Sequence, residues 1–123
     1  MFKRKSESSG KTGEKLAAAW YRKHRYRIRE LNFRTRQGEI DLIAENENFL
    51  IFAEVKTRCE NSIASPAEFV TPAKQRRLIL AAKGYLLQNP ELENCMMRFD
   101  VVEVVLPESG KPKLNCIENA FTL

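Results

Sequence analysis

Apolar positions recur along the chain with two different periods. Leu16, Ala17, Trp20, Tyr21 and His24 fall on one arc of a 3.6-residue wheel, which predicts a helix from Thr12 to about His24. Tyr26 to Phe33 reads as a strand, anchored by Ile28 together with Leu31 or Phe33, and Arg34 to Gly38 as a polar turn. Two further strands, Glu39 to Glu45 and Phe49 to Thr57, flank Asn46, Glu47 and Asn48 and make a hairpin. Arg58 to Glu68 is a loop containing Ser65-Pro66. Thr71-Pro72 starts a second helix, with Thr as N-cap and Pro in the first turn. That helix carries Leu78, Ile79, Ala82, Tyr85 and Leu86 and ends before Asn89-Pro90. Met97 to Leu106 is a Val-rich strand, Pro107 to Pro112 a turn, and Leu114 to Phe121 an edge strand. Helices and strands interleave without repeats, so the expected fold is α/β: one mixed central β-sheet flanked by helices.

Length and composition narrow the classes. The 123 residues suit one domain, residues 12–123, preceded by a mobile basic tail at 1–11. A hydrophobic content of 43% with 30% charged residues is globular rather than disordered or fibrous. No apolar run reaches the ~20 residues of a membrane span, and MFKRKSESSGKTGEK lacks the apolar stretch of a secretory signal. Cys59, Cys95 and Cys116 form no Cys-x-x-Cys pair, which excludes a full disulfide framework and the usual thiolate zinc spacing. A reducing cytoplasm is the expected location. The net charge of +5 is unevenly spread. Residues 1–37 hold 12 basic and three acidic side chains, while 38–123 hold nine basic and 13 acidic. A basic first third, including Lys11 and Lys15, suits a polyanionic partner, and the remainder carries the carboxylates. A merely solvated basic helix would give the same charge pattern.

The chemistry concentrates in GEIDLIAENENFLIFAEVKTR, residues 38–58. Strand alternation sends Phe49, Ile51, Ala53 and Val55 to one face and Leu50, Phe52, Glu54 and Lys56 to the other. Glu54 and Lys56 therefore stand together at the end of an apolar strand, where charge is costly unless it is paired or serves a ligand. A hairpin loop of two residues or of four sets Asp41 directly opposite Glu54. Facing Cβ atoms lie ~4.5–5.5 Å apart, so the carboxylates repel unless a cation bridges them or one is protonated. Two hard oxygen ligands, completed by water and phosphate, are the usual way of holding Mg²⁺. Lys56 could then act on a bound water and on phosphate charge. The bland alternative is a structural triad in which Lys56 neutralises Asp41 or Glu54.

With these residues the chain resembles the restriction-endonuclease-like superfamily, written PD-(D/E)XK, and within it the YraN-like family of small bacterial proteins. The resemblance runs over nearly the whole chain: the helix with Gly13-Glu14, GEIDLIA, FAEVKTR, TPAKQRRL and RFDVV. Archaeal Holliday junction resolvases look like characterised relatives, with a similar helix Glu, Asp strand and ExK strand. The resemblance implies a single restriction-endonuclease-like domain and metal-dependent phosphodiester cleavage. It maps the signature Asp onto Asp41, the acidic and basic residues of ExK onto Glu54 and Lys56, and the helix Glu onto Glu14. Glu39-Ile40 precedes Asp41 where the superfamily pattern often has Pro.

Other polar residues have two readings each. Glu14 could join the metal shell, or be a first-turn Glu favoured by the helix dipole. Glu39 could assist the metal or pair with an Arg. Superfamily members often place a polar residue at the start of the second helix to touch the scissile phosphate, here Lys74 and Gln75. Lys74, Arg76 and Arg77 otherwise form a phosphate-facing or solvated edge. Asp100 is expected to pair with Arg98, His24 to pack in its helix, and the cysteines to be buried or incidental.

The combined expectation is a Mg²⁺- or Mn²⁺-dependent endonuclease acting on DNA, with branched or damaged DNA among the candidate substrates. Asp41, Glu54 and the Val55 backbone carbonyl hold the metal, Lys56 activates water, and Glu14 supports the shell. The basic N-terminal region, with Lys11 and Lys15, and the Lys74, Gln75, Arg76 and Arg77 edge grip phosphates without reading bases. The competing expectations are a non-catalytic nucleic-acid-binding module with a vestigial site and a protein-interaction adaptor. A homodimer stays open, and a membrane is not an expected partner.

Overall fold

The computed structural model describes residues 2–60 and 70–121, with side chains from Lys11 onward. The elements follow as α1 (Phe2–Lys23), β1 (Arg27–Arg34), β2 (Glu39–Glu45), β3 (Phe49–Cys59), α2 (Pro72–Gln88), a short 3-10 turn (Pro90–Leu92), β4 (Met96–Leu106) and β5 (Lys113–Phe121). The strands form one sheet in the order β1-β2-β3-β4-β5. Neighbours are antiparallel except β3 and β4, which run parallel. A parallel pair needs a crossover, and α2 supplies it. The architecture is the expected α/β one and agrees with the restriction-endonuclease-like fold.

Alternation divides the core between the two sheet faces. Ala17, Ala18 and Tyr21 of α1 pack on Leu42, Ala44, Ile51, Ala53, Val102 and Val104. Leu78, Ala81, Ala82 and Tyr85 of α2 pack on Ile43, Leu50, Phe52 and Phe99 from the opposite face. Phe33, half-buried, is the second anchor of β1, whereas Leu31 is 40% exposed. Between α1 and the sheet lies one buried polar knot. Asp100, fully buried, accepts two bonds from Arg98 at 2.8 and 2.9 Å, one from the Tyr21 hydroxyl at 2.7 Å and one from the Asn119 N–H at 3.0 Å. The expected ion pair is present, and it is saturated.

Some expectations need correcting. Helix α1 starts at Phe2 rather than Thr12. Lys, Arg and Glu in that stretch are good helix formers, and they outweigh the glycine at position 10. Strand β3 continues through Arg58 and Cys59, which had been assigned to a loop, because β4 pairs with it as far as Leu106. The rest of that loop, with Ser65-Pro66, lies outside the described residues. His24 is exposed at the helix end, stacked on Trp20 at 4.0 Å, and Cys59 and Cys95 are exposed rather than buried. The other boundaries, including the Thr71 cap that accepts the Lys74 N–H, match the pattern to within one residue.

Two glycines bring the helices against the sheet end that carries the carboxylates. A Cβ on Gly13 would run into the Thr57 hydroxyl, so α1 lies directly on β3 one residue beyond Lys56. A Cβ on Gly38 would lie 2.5 Å from the Arg77 carbonyl oxygen, so the β1–β2 turn is seated on α2. Backbone cannot move aside as a side chain can. Gly38→Ala should therefore destabilise by the ~1–3 kcal/mol of an overpacked contact, measured as the urea midpoint. Gly13→Ala should also destabilise, but Thr57→Ala in the same chain should recover part of the loss, because the obstacle there is a side chain.

Candidate active site

The β2–β3 hairpin is pinned at its loop. Asn46 Oδ1 accepts the N–H groups of Asn48 and Phe49, each at 2.8 Å, and the Asn46 N–H donates to the Phe49 carbonyl at 3.0 Å. From there Glu45 pairs with Leu50, Ala44 with Ile51, Ile43 with Phe52 and Leu42 with Ala53. The next pair in this register is Asp41 with Glu54, as the strand period requires. At that point the ladder stops. The Val55 N–H donates to Asp41 Oδ2 at 2.8 Å. A continued ladder would have carried it to Ile40, so the carboxylate stands in for a strand carbonyl at the place where the hairpin opens.

Charge accumulates at this opening. Burial, above all, pushes the Asp41 carboxyl up to about 6; the Val55 N–H pulls against it, and Glu14 and Glu39 add to the rise. Glu54 is pushed up to about 7, again first by burial and then by the Asp41 charge, with Lys56 and Lys74 opposing. Lys74 is held below the ordinary lysine value, chiefly by its side-chain contact with Lys56. Two carboxylates and two amines, from β2, β3 and the first turn of α2, thus share one small region.

The expected site residues divide into those gathered here and those placed elsewhere. Asp41, Glu54, Lys56 and Lys74 come together, and Glu14 reaches the same cluster from α1. Glu14 Oε2 accepts a bond from the Asn32 amide at 2.9 Å, and because α1 starts at Phe2, Glu14 is mid-helix rather than a first-turn residue favoured by the dipole. Glu39 pairs with Arg34 at 3.3 Å on the rim. Gln75 turns back and donates to the Val70 carbonyl at 3.2 Å, bracing the start of α2. Arg76, Lys11 and Lys15 are exposed and lie outside the cleft wall.

That cleft, about 530 Å³, has Glu54, Lys74, Arg77 and Leu78 on one side and the turn from Arg34 to Glu39 on the other. The turn is held by Thr35, whose Oγ1 accepts the N–H groups of Gln37 and Gly38 at 3.1 and 3.2 Å. Arg34 and Arg36 were expected in a polar turn of the basic segment 1–37, without a named place in the site, and Asn32 only in a strand. Nothing in a 3.6- or two-residue period marks them, since their importance comes from the docking of the turn on α2.

Fold and site together define the class: a restriction-endonuclease-like α/β protein with an Asp, a Glu-x-Lys pair and a helix Glu at one end of its sheet. The chain belongs to the uncharacterised protein family UPF0102, the YraN-like family, whose sequence profile matches residues 13–104. A UPF0102 protein of Syntrophomonas wolfei subsp. wolfei is 46% identical over 112 residues, 91% of this chain and 96% of the relative. One from Clostridium perfringens strain 13 is 43% identical over 121 residues, 98% of each chain. One from Geobacter metallireducens is 41% identical over 119 residues, 96% of this chain and 95% of the relative. The profile takes in Glu14, Asp41, Glu54, Lys56 and Lys74. No helix among the described residues is long and apolar enough to cross a membrane.

The raised carboxyl values have a consequence for stability. With folded-state values near 6 and 7 against ordinary values of 3.8 and 4.5, the folded protein binds more protons than the unfolded chain between about pH 4 and 7. The contribution of this pair to stability therefore falls as pH rises through that window. In EDTA the melting temperature should drop between pH 5 and pH 7.5. Glu54→Gln, uncharged throughout, should flatten the decline and gain on the order of 2 kcal/mol at pH 7.5.

Proposed function

We propose that the protein is a Mg²⁺- or Mn²⁺-dependent endonuclease that hydrolyses phosphodiester bonds in DNA. The observation that carries this reading is the meeting of Asp41 and Glu54 across the opened hairpin, with Lys56 and Lys74 beside them. The donor set fits a hard divalent cation: two half-buried carboxylates that repel each other and hold protons to unusually high pH. Among the described residues no group of three His, Cys, Asp or Glu side chains forms a ready-made cage. Asp41, Glu54 and the Val55 carbonyl would hold the ion, with water and a phosphate oxygen as further ligands. Bound there, it would supply Lewis-acid stabilisation of phosphate charge and acidify a water.

The chain's own residues do the rest. Two ammonium groups in contact cannot both stay charged without cost, and Lys74 is the one held below the ordinary lysine value. In this reading Lys56 accepts the proton of the attacking water and Lys74 faces a non-bridging phosphate oxygen. The new oxygen–phosphorus bond forms in line with the breaking one, and the leaving oxygen takes a proton from solvent. Arg34, Arg36 and Arg77 line the approach and suit the neighbouring phosphates, giving a grip without base contacts. Cytoplasmic DNA is the expected partner, and branched or damaged DNA remains within the reading.

The test is a Mg²⁺/Mn²⁺ cleavage panel of single-stranded, duplex, flap and four-way-junction DNA together with RNA. Cleavage of none of them would overturn the enzymatic reading. Glu54→Ala should lose Mn²⁺ binding and cleavage together. Lys56→Ala should keep Mn²⁺ binding while cleavage falls by the ~10²–10⁴-fold of a lost acid–base group. A Lys56→Ala protein that cleaves at the parental rate removes that residue from the mechanism. Arg36→Ala and Arg77→Ala should raise KM with kcat little changed, and each should lower the salt slope of DNA binding by about one.

A further inference from the structure

Beyond the register shift between Ile28 and Glu30, strand β1 is irregular at Asn32. Leu31 pairs with Leu42 and Phe33 with Ile40, so Asn32 lies between them, opposite Asp41. Its φ is 56°, in the left-handed region. The two sides of this point pack on different faces: Leu42 joins the core under α1, whereas Ile40 and Phe33 join the core under α2. A regular β2 would keep Ile40 and Leu42 on one face. The change of face occurs at Asn32 and Asp41, so the kink and the opening of the hairpin are one local feature.

A left-handed residue here could have been glycine, which adopts that conformation at no steric cost, whereas a residue with a Cβ costs roughly 1–2 kcal/mol. Asparagine adds an amide, and that amide reaches the helix on the α1 side. Asn32 Nδ2 donates to Glu14 Oε2 at 2.9 Å. Glu14 is itself set at this height by Gly13 resting on Thr57. The contact thus ties α1 to β1 at the residue opposite Asp41.

We infer that Asn32 is a positioning residue, which uses its left-handed backbone and its side-chain amide to hold the Glu14 carboxylate on the Asp41 side of the site, where it supports the water shell of a bound cation rather than ligating it directly. The inference rests on the reading of Asp41 and Glu54 as cation ligands. Asn32 acts through Glu14 and is not itself placed on substrate. Its contribution is to fix a flexible three-torsion side chain, as the outer partners of metal ligands generally do.

The experiment compares Mn²⁺ affinity by calorimetry, single-turnover cleavage and melting temperature in the parent, Asn32→Gly, Asn32→Asp, Glu14→Gln and the Asn32→Gly/Glu14→Gln double variant. Asn32→Gly keeps the backbone conformation and removes only the amide. It should melt like the parent yet lose about 10-fold or more in Mn²⁺ affinity, the range of a lost outer-shell partner. Glu14→Gln should lose a similar amount and the double variant no more than Glu14→Gln alone. Asn32→Asp, nearly the same shape with the donor replaced by a charge, should weaken Mn²⁺ at least as much. Parental affinity in Asn32→Gly alongside a weakened Glu14→Gln would overturn the inference and leave the cation reading intact. So would additive losses in the double variant. A parent that binds no Mn²⁺ would overturn both.

Discussion

The bond from the Val55 N–H to the Asp41 carboxylate is the constraint on which the site depends. An antiparallel pair that continued in register would bury these backbone groups against each other and leave no opening. With a side-chain oxygen accepting the bond, the strand N–H is satisfied and the two strands are free to part. The carboxylate is then fixed in direction by a backbone donor, and Glu54 follows as its neighbour in the register. The cost is electrostatic: two half-buried acids face each other, and both hold their protons to higher pH than free acids do. The lysines on β3 and α2 oppose that cost, and a bound cation would relieve it further.

Helices on opposite faces of a sheet do not ordinarily meet, and here they serve one end of it. Gly13 lets α1 lie on Thr57, which brings Glu14 to the edge of the opening from one side. Gly38 lets the β1–β2 turn lie on α2, which brings Lys74 and Arg77 to the same opening from the other. The Thr71 cap fixes where α2 begins and hence which of its residues sits over Glu54. A shift of one residue in that start would exchange Lys74 for Gln75 or Ala73. The positions of Asp41, Glu54 and Lys56 are therefore set by strand register, whereas those of Glu14 and Lys74 are set by close packing of helix on sheet.

That difference explains what was legible in the sequence. The register that sets Asp41 opposite Glu54, the shared face of Glu54 and Lys56, and the Thr71-Pro72 helix start all follow from local periods and cap chemistry; the ladder keeps that register as far as Leu42–Ala53, Asp41 and Lys56 both act on Glu54, and Thr71 caps α2. The contact of Lys74 with Lys56 depends on where α2 docks, and no period in the chain encodes docking. Arg34 and Arg36 form a cleft wall because their turn is seated on α2, a long-range fact. Asn32 looks like an ordinary strand residue until its φ is known. Gln75 carried a functional expectation, and its amide donates to the Val70 carbonyl, a contact that no period in the sequence encodes. The early start of α1 was missed because Lys, Ser and Gly together look like a tail, while the Lys, Arg and Glu among them individually favour helix.

The two inward-facing aspartates differ in what surrounds them. Asp100 and Asp41 both lie on the sheet, and each has a left-handed asparagine nearby: Asn119 donates its N–H to Asp100, and Asn32 stands opposite Asp41. Asp100 is fully buried, yet it receives four short bonds, two of them from a guanidinium. Its charge is neutralised and its lone pairs are used, so it has nothing left to offer a ligand. Asp41 receives the Val55 N–H and otherwise feels Glu14 and Glu39, opposed by the Lys56 charge. A half-buried carboxylate left in that state is unfavourable for stability alone, and a fold under no other demand would replace it or pair it as it pairs Asp100. Beside Glu54 and two lysines Asp41 keeps lone pairs that a ligand could take, which is the feature the proposed cation site uses.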